Sequence, residues 1–231
     1  MTRRDHSVAV LLMLAGYNVV QNLAVSERGY VPANLLASAS MVRLGRRAGL
    51  SLGEIGLAPE RAGAGLALGA VVATAVGASA AVAASNPRFH RWMLDERARG
   101  HNRRGATYRS LVRFPLGTAL FEELAFRGVL DAVLRRRSDR SARAVTAVAF
   151  GAWHLIPTFR LYPGMGLGNG NGSRRRERVL AALGSAVVTG VSSFGFTALR
   201  ERSGSVVAPW LAHAAYNTGF YLAARQAWRA R

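Results

Sequence analysis

The chain contains no cysteine and no lysine, and acidic residues are few. Without cysteine it can form neither a disulfide nor a thiolate nucleophile, and no thiolate can ligate a metal. All 31 basic residues are therefore arginine, against 12 Asp and Glu, for a formal charge of +19 over 231 residues. Histidine is also scarce, with five in the chain, so each one inside an apolar segment carries weight.

A basic excess of this size would suit nucleic-acid binding if it sat on a recognition fold. The arginines instead cluster between long apolar stretches, at Arg43 to Arg47, Arg97 to Arg104, Arg135 to Arg143 and Arg174 to Arg178. The loops of a polytopic membrane protein have this character. Membrane lipids are the expected partners of the loop arginines, and no nucleic-acid partner is expected.

Half of the residues are hydrophobic, and a spanning helix needs about 20 mainly apolar residues. Ser7 to Val25 is the first candidate, read as a retained helix because no small-residue cleavage site follows it. Val31 to Val42 is a shorter second segment. Ala62 to Ser85 is long and rich in small residues that permit close helix packing. Asn86 to Thr107 reads as a charged loop with an interfacial amphipathic piece. Further spans are expected at Tyr108 to Arg135, Ala142 to Ile156 (ending against Pro157), Val179 to Leu199 and Val206 to Ala224. Gly164 to Ser173 reads as a flexible loop by composition. The expected fold class is therefore all-α, a polytopic transmembrane helical bundle of about seven spans. A single integral membrane domain, 1–231, divides into N-terminal helices with a basic loop over 1–106 and a helical core over 107–225. The positive-inside rule does not settle its orientation.

The most informative feature is a pair of glutamates, Glu122 and Glu123, in the apolar run Phe114 to Leu130. A carboxylate in a membrane span costs roughly 2.5 to 3.5 kcal/mol on insertion scales, so such groups mark functional sites. Residues four apart share a helix face, so Glu123 can pair with Arg127, while Glu122 points about 100° away. One glutamate is thereby neutralised and the other left free to act as a general base. Two further constellations follow in order: Phe150-Gly-Ala-Trp-His154, and His213-Ala-Ala-Tyr-Asn217, where the four-residue spacing puts imidazole and amide on one face. Singly, each admits a packing role, and Trp153, Trp210 and Tyr216 read as packing or interfacial residues.

The ordered set Glu-Glu-x-x-x-Arg, Phe-x-x-x-His and His-x-x-x-Asn resembles the CPBP family, the CAAX proteases and bacteriocin-processing enzymes also called Abi proteins. Every motif position is matched, by Glu122, Glu123 and Arg127, by Phe150 and His154, and by His213 and Asn217. The similarity covers roughly Leu116 to Tyr221, and the linker Leu52-Gly-Glu-Ile-Gly-Leu57 looks similar to bacterial members. The resemblance implies an intramembrane endopeptidase with its active site inside the bundle, where 107–225 is the catalytic helical core and Glu122 activates water, assisted by His154. His213 and Asn217 would stabilise the oxyanion, with Glu123, Arg127 and Phe150 as structural support. Metal-independent water activation is favoured and no cofactor is expected; if zinc is used, Glu122, His154 and His213 are its ligands. The substrate is expected to be a membrane-associated peptide or protein, and the setting a bacterial cell membrane crossed several times. Two other classes stay open: a catalytically inactive membrane scaffold, and a transporter using Glu122, His154 and His213 as a proton or ion relay.

Overall fold

The computed structural model describes residues 3–93, 95, 98–161 and 171–230, and all of its secondary structure is helical. The helices are α1 (Arg3–Leu23), α2 (Tyr30–Arg47), α3 (Leu52–Ile55), α4 (Pro59–Ser85) and α5 (Pro87–Met93), then α6 (103–135), α7 (Asp139–Trp153), α8 (Leu155–Leu161), α9 (Asn171–Ser203) and α10 (Val207–Arg229). The seven long helices correspond to the seven apolar segments of the sequence. The segment 164–170 of the expected Gly-rich loop lies outside the described residues, whereas Asn171 to Ser173 already belong to α9. Pro157 does not end the helical path either. The chain turns at His154 and restarts as α8, with Pro157 in the first turn, where its missing N–H costs nothing.

α6 is unusual. Its helical backbone is continuous, but Arg109–Ala119 and Glu123–Leu130 are π-helical, flanking the α-turn Leu120–Glu122. The Leu120 N–H donates to the Pro115 carbonyl and the Asp131 N–H to that of Phe126, each five residues back. Pro115 explains part of this, since it has no N–H to offer and its ring crowds the preceding turn. Its carbonyl also accepts the Trp210 indole N–H at 2.8 Å. Wide π turns are rare and concentrate at functional sites, and these two bracket Glu122.

Polar contacts join the helix ends at two opposite poles. At one, Arg136 donates to the carbonyls of Ala48 (2.9 Å) and Gly49 (2.8 Å) and pairs with Glu54 (3.0 Å). Glu54 completes a capping box with Ser51 that closes the short α3. Arg200 donates to the carbonyls of Gly53 and Glu54, and Val206 N–H to that of Gly56. At the other pole Arg109 and Arg113 pair with Glu27, and Arg160 donates to the Asn22 carbonyl. The long helices α1, α2, α4, α6, α7, α9 and α10 consequently run in alternating directions.

Apolar side chains lie both inside and outside this bundle. Val10, Leu14, Met41, Phe121, Phe126 and Phe150 form one buried cluster that joins α1, α2, α6 and α7. Leu36, Leu66, Val71, Val148 and Val191 are all exposed. Large exposed apolar surfaces mark interaction with a membrane or a partner. Two stretches, Leu52–Ser85 and Arg175–Ser203, are long and apolar enough to cross a membrane, and little of either is buried. The other expected spans are weaker by that measure. α2 carries Arg43, Arg46 and Arg47, α6 carries Glu122, Glu123, Arg127 and Asp131, and α7 has only 15 residues.

Helix crossings depend on glycine where backbones nearly touch. On α4, a Cβ at Gly69 would lie 2.9 Å from Leu211 and 3.0 Å from the Ala208 Cα of α10. At Gly151, three residues before His154, a Cβ would overlap the Ala186 carbonyl oxygen of α9. Backbone cannot move aside as a side chain can. Gly151→Ala should therefore destabilise the protein by about 1–3 kcal/mol, lowering Tm by several degrees in a detergent melt. Gly184→Ala, on α9 with nothing within 4 Å of the added carbon, should leave Tm unchanged or slightly raised. Equal behaviour of the two variants would refute this account of the crossing.

Candidate active site

Glu122 and Glu123 are both buried on α6, and their surroundings differ. Glu123 Oε1 accepts from Arg127 Nη1 at 3.2 Å, the expected i,i+4 contact persisting inside a π-helical segment. The same oxygen accepts from His213 Nδ1 at 2.7 Å. Arg127, with 1% of its surface exposed, donates Nη2 to Ser193 Oγ at 2.9 Å. Its guanidinium lies over the Phe150 ring, 3.9 Å from the centroid, and near Phe196 at 5.0 Å. A buried cation is thus met by a carboxylate, a hydroxyl and two aromatic faces.

Glu122 has one internal hydrogen bond, from the Trp153 indole N–H to Oε1 at 3.1 Å. Its Oε2 is buried and has no partner among the described residues. Facing that oxygen are His154 Nε2 at 3.9 Å and His213 Nε2 at 3.8 Å. The other nitrogen of each ring is occupied, by the Phe150 carbonyl at 2.8 Å from His154 Nδ1 and by Glu123 for His213. A hydrogen on each Nδ1 leaves both Nε2 atoms directed at Glu122. Gaps just under 4 Å between an unpartnered carboxylate oxygen and two imidazoles suit a bridging water.

The local sequence explains how the parts are held. His154 sits at the C-cap of α7, and the Phe150 and His154 rings pack edge to face with centroids 4.8 Å apart. His213 stacks on Phe196 at 5.1 Å. Asn217 lies one turn after His213 on α10; it is half-buried, and its amide makes no hydrogen bond among the described residues. The structure thus brings Glu122, Glu123, Arg127, Phe150, His154 and His213 into one contiguous cluster. Asn217 joins it only through its place on the His213 helix.

Four participants were not given a site role from sequence. Trp153, read as a packing residue, packs against Phe121 and Phe126 and also donates to Glu122. Ser193 and Phe196 lie on α9, in a stretch whose only sequence signal is a small polar residue within an apolar run. Asn18 of α1, a polar residue in an otherwise apolar segment, donates to the Trp153 carbonyl at 2.7 Å.

A carboxylate with two imidazoles is a donor set that zinc accepts. Around a tetrahedral zinc such atoms sit about 3.4 Å apart, closer than the 3.8 and 3.9 Å found here. Among the described residues no group of three or more His, Asp or Glu is gathered so as to hold a metal ion. Glu122, His154 and His213 are the residues that would hold a zinc ion, and no chemical step below runs through one.

Residues 105–219 match the family model for type II CAAX prenyl endopeptidase Rce1-like proteins. No curated protein and no solved structure gives a significant match. The matched segment begins near the start of α6 and contains all seven motif residues.

Because Arg127 is enclosed, Arg127→Ala leaves the Glu123 carboxylate buried without its cation and should cost about 3–5 kcal/mol. Glu123→Gln combined with Arg127→Met removes both charges and should recover part of that loss. Denaturant unfolding in detergent checks both. A single variant as stable as wild type would show that the pair contributes little.

Proposed function

Since residues 105–219 belong to the type II CAAX prenyl endopeptidase Rce1-like family, whose members are membrane-embedded proteases, we propose that this chain is an intramembrane endopeptidase. It hydrolyses a peptide bond of a membrane-associated protein or peptide, in a bundle of about seven spans in a bacterial cell membrane. Bacteriocin maturation and self-immunity are roles this chemistry allows. One observation supports the reading above the others: the buried, unpartnered Glu122 Oε2 faces two imidazole nitrogens whose partner atoms are already fixed.

The chemistry follows from those positions. A water between Glu122 Oε2 and His154 Nε2 is oriented by the imidazole lone pair, and Glu122 removes its proton as the oxygen attacks the scissile carbonyl carbon. His213, protonated at Nε2, donates to the oxyanion that forms, while the Glu123 carboxylate at Nδ1 balances its charge. The Asn217 amide, without a hydrogen bond among the described residues, supplies a second donor. Single donors in such oxyanion sites contribute roughly 3–4 kcal/mol. The proton held by Glu122 passes to the leaving nitrogen, the C–N bond breaks, and a new carboxylate and amine are released. Trp153 holds Glu122 Oε1, so Oε2 is the oxygen that exchanges protons.

Protein N-termini in membranes and medium should differ between cells expressing the wild-type chain and cells expressing Glu122→Ala at equal abundance. Products absent only in the variant would identify protease and substrate together. Identical profiles across growth conditions would favour an ion relay, and ion flux would decide that. Once a cleaved peptide is in hand, exhaustive treatment of the purified enzyme with a tight chelator should leave its rate unchanged. A rate that falls and is restored specifically by zinc would reverse the metal-independent assignment.

A further inference from the structure

At the pole where α6 begins and α10 ends, two cavities of about 350 Å3 and about 390 Å3 lie side by side, with Arg225 and Arg229 lining both. Arg99 and His101 line the first, Arg103 and Ser110 the second, and no carboxylate of the described residues lines either. We propose that together they form a binding site for a phosphate-bearing anion, the headgroup of an acidic phospholipid. This site is separate from the proposed catalytic cluster and does not depend on its assignment.

Four observations carry the assignment. Arg225 is buried, and its Nη1 donates to the carbonyls of His101 and Asn102, so its position is fixed by backbone. Arg103 and Arg229 are exposed and make no ion pair or hydrogen bond among the described residues, so their charge is available to a ligand. Ser110 is 8% exposed, yet its Oγ has no hydrogen-bond partner among the described residues. A buried hydroxyl without a partner is rare in folded proteins and asks for one, and this one lines the second cavity. Finally, Leu111 and Leu222 line the same cavity while remaining 67% and 46% exposed.

The neighbouring arginines and outward leucines choose between sources of the anion. A free phosphate needs only the basic groups. A phospholipid also has acyl chains, and Leu111 and Leu222 lie beside the arginines to receive them. Juxtamembrane arginines bind acidic lipids in this way, and guanidinium groups match phosphate oxygens in fixed geometry. The ligand would bridge α6, which carries Glu122 and Glu123, to α10, which carries His213 and Asn217.

The test uses the full chain in detergent, titrated with phosphatidylglycerol, phosphatidylcholine or inorganic phosphate and read by native mass spectrometry. Wild type should bind phosphatidylglycerol saturably and phosphatidylcholine weakly. The Arg103→Gln/Arg229→Gln pair should weaken phosphatidylglycerol binding about tenfold or more. Arg47→Gln/Arg140→Gln, an exposed pair at the opposite pole, removes the same charge and should not. Circular dichroism would confirm that all variants remain folded. Displacement of the lipid by inorganic phosphate would add support for recognition through the phosphate group. Equal loss in both pairs, no loss in the first pair, or saturable binding of inorganic phosphate alone would each overturn the lipid assignment.

Discussion

Arg127 has almost no exposed surface, and a guanidinium so enclosed must be neutralised where it sits, because the energetic cost of an unpaired buried charge is several kcal/mol. The groups that neutralise it fix much of the site. Glu123 takes the charge and with its same oxygen holds His213 of α10. Ser193 and Phe196 bring in α9, and Phe150 brings in α7. Four helices are therefore registered against one another around a single cation, and Glu122 on the adjacent helix position is left with an oxygen facing both imidazoles.

The free carboxylate has a support of its own. Trp153 fixes one Glu122 oxygen, and Asn18 fixes the Trp153 carbonyl. Tyr17 packs its ring edge-on against Phe121 at 5.1 Å and stacks on Trp153 at 6.4 Å. Asn18 and Tyr17 belong to α1, outside the family-matched residues 105–219. The N-terminal helix, which carries none of the motifs, thus holds the geometry of the group at the centre of the site. Close crossings at Gly69 and Gly151 do the corresponding work between backbones, where any side chain would push helices apart.

Much of this was legible in the sequence, for identifiable reasons. Hydropathy marked the positions of the long helices, because each apolar stretch must satisfy its backbone internally. The i,i+4 spacing of Glu123 and Arg127 was enough to pair them, and it left Glu122 over. The π-helical stretches were not legible, since nothing in a 3.6-residue periodicity announces a five-residue hydrogen bond. Nor was the continuation of helix past Pro157, because a proline tolerated in a first turn and a proline that ends a helix look alike in sequence. The role of Trp153 was hidden because an indole N–H has no partner until another helix supplies one.

By itself the sequence determined the chemistry available: carboxylates, imidazoles and an amide in apolar segments, no thiol, and arginine without lysine. Those are properties of residue type and local spacing, and they survive in any arrangement of the helices. Only the tertiary structure decided that Glu123 would hold His213, that Trp153 would hold Glu122, and that two Nε2 atoms would face one unpartnered oxygen. Those contacts join residues 31 to 91 positions apart, and no local pattern encodes a distance that depends on how whole helices pack.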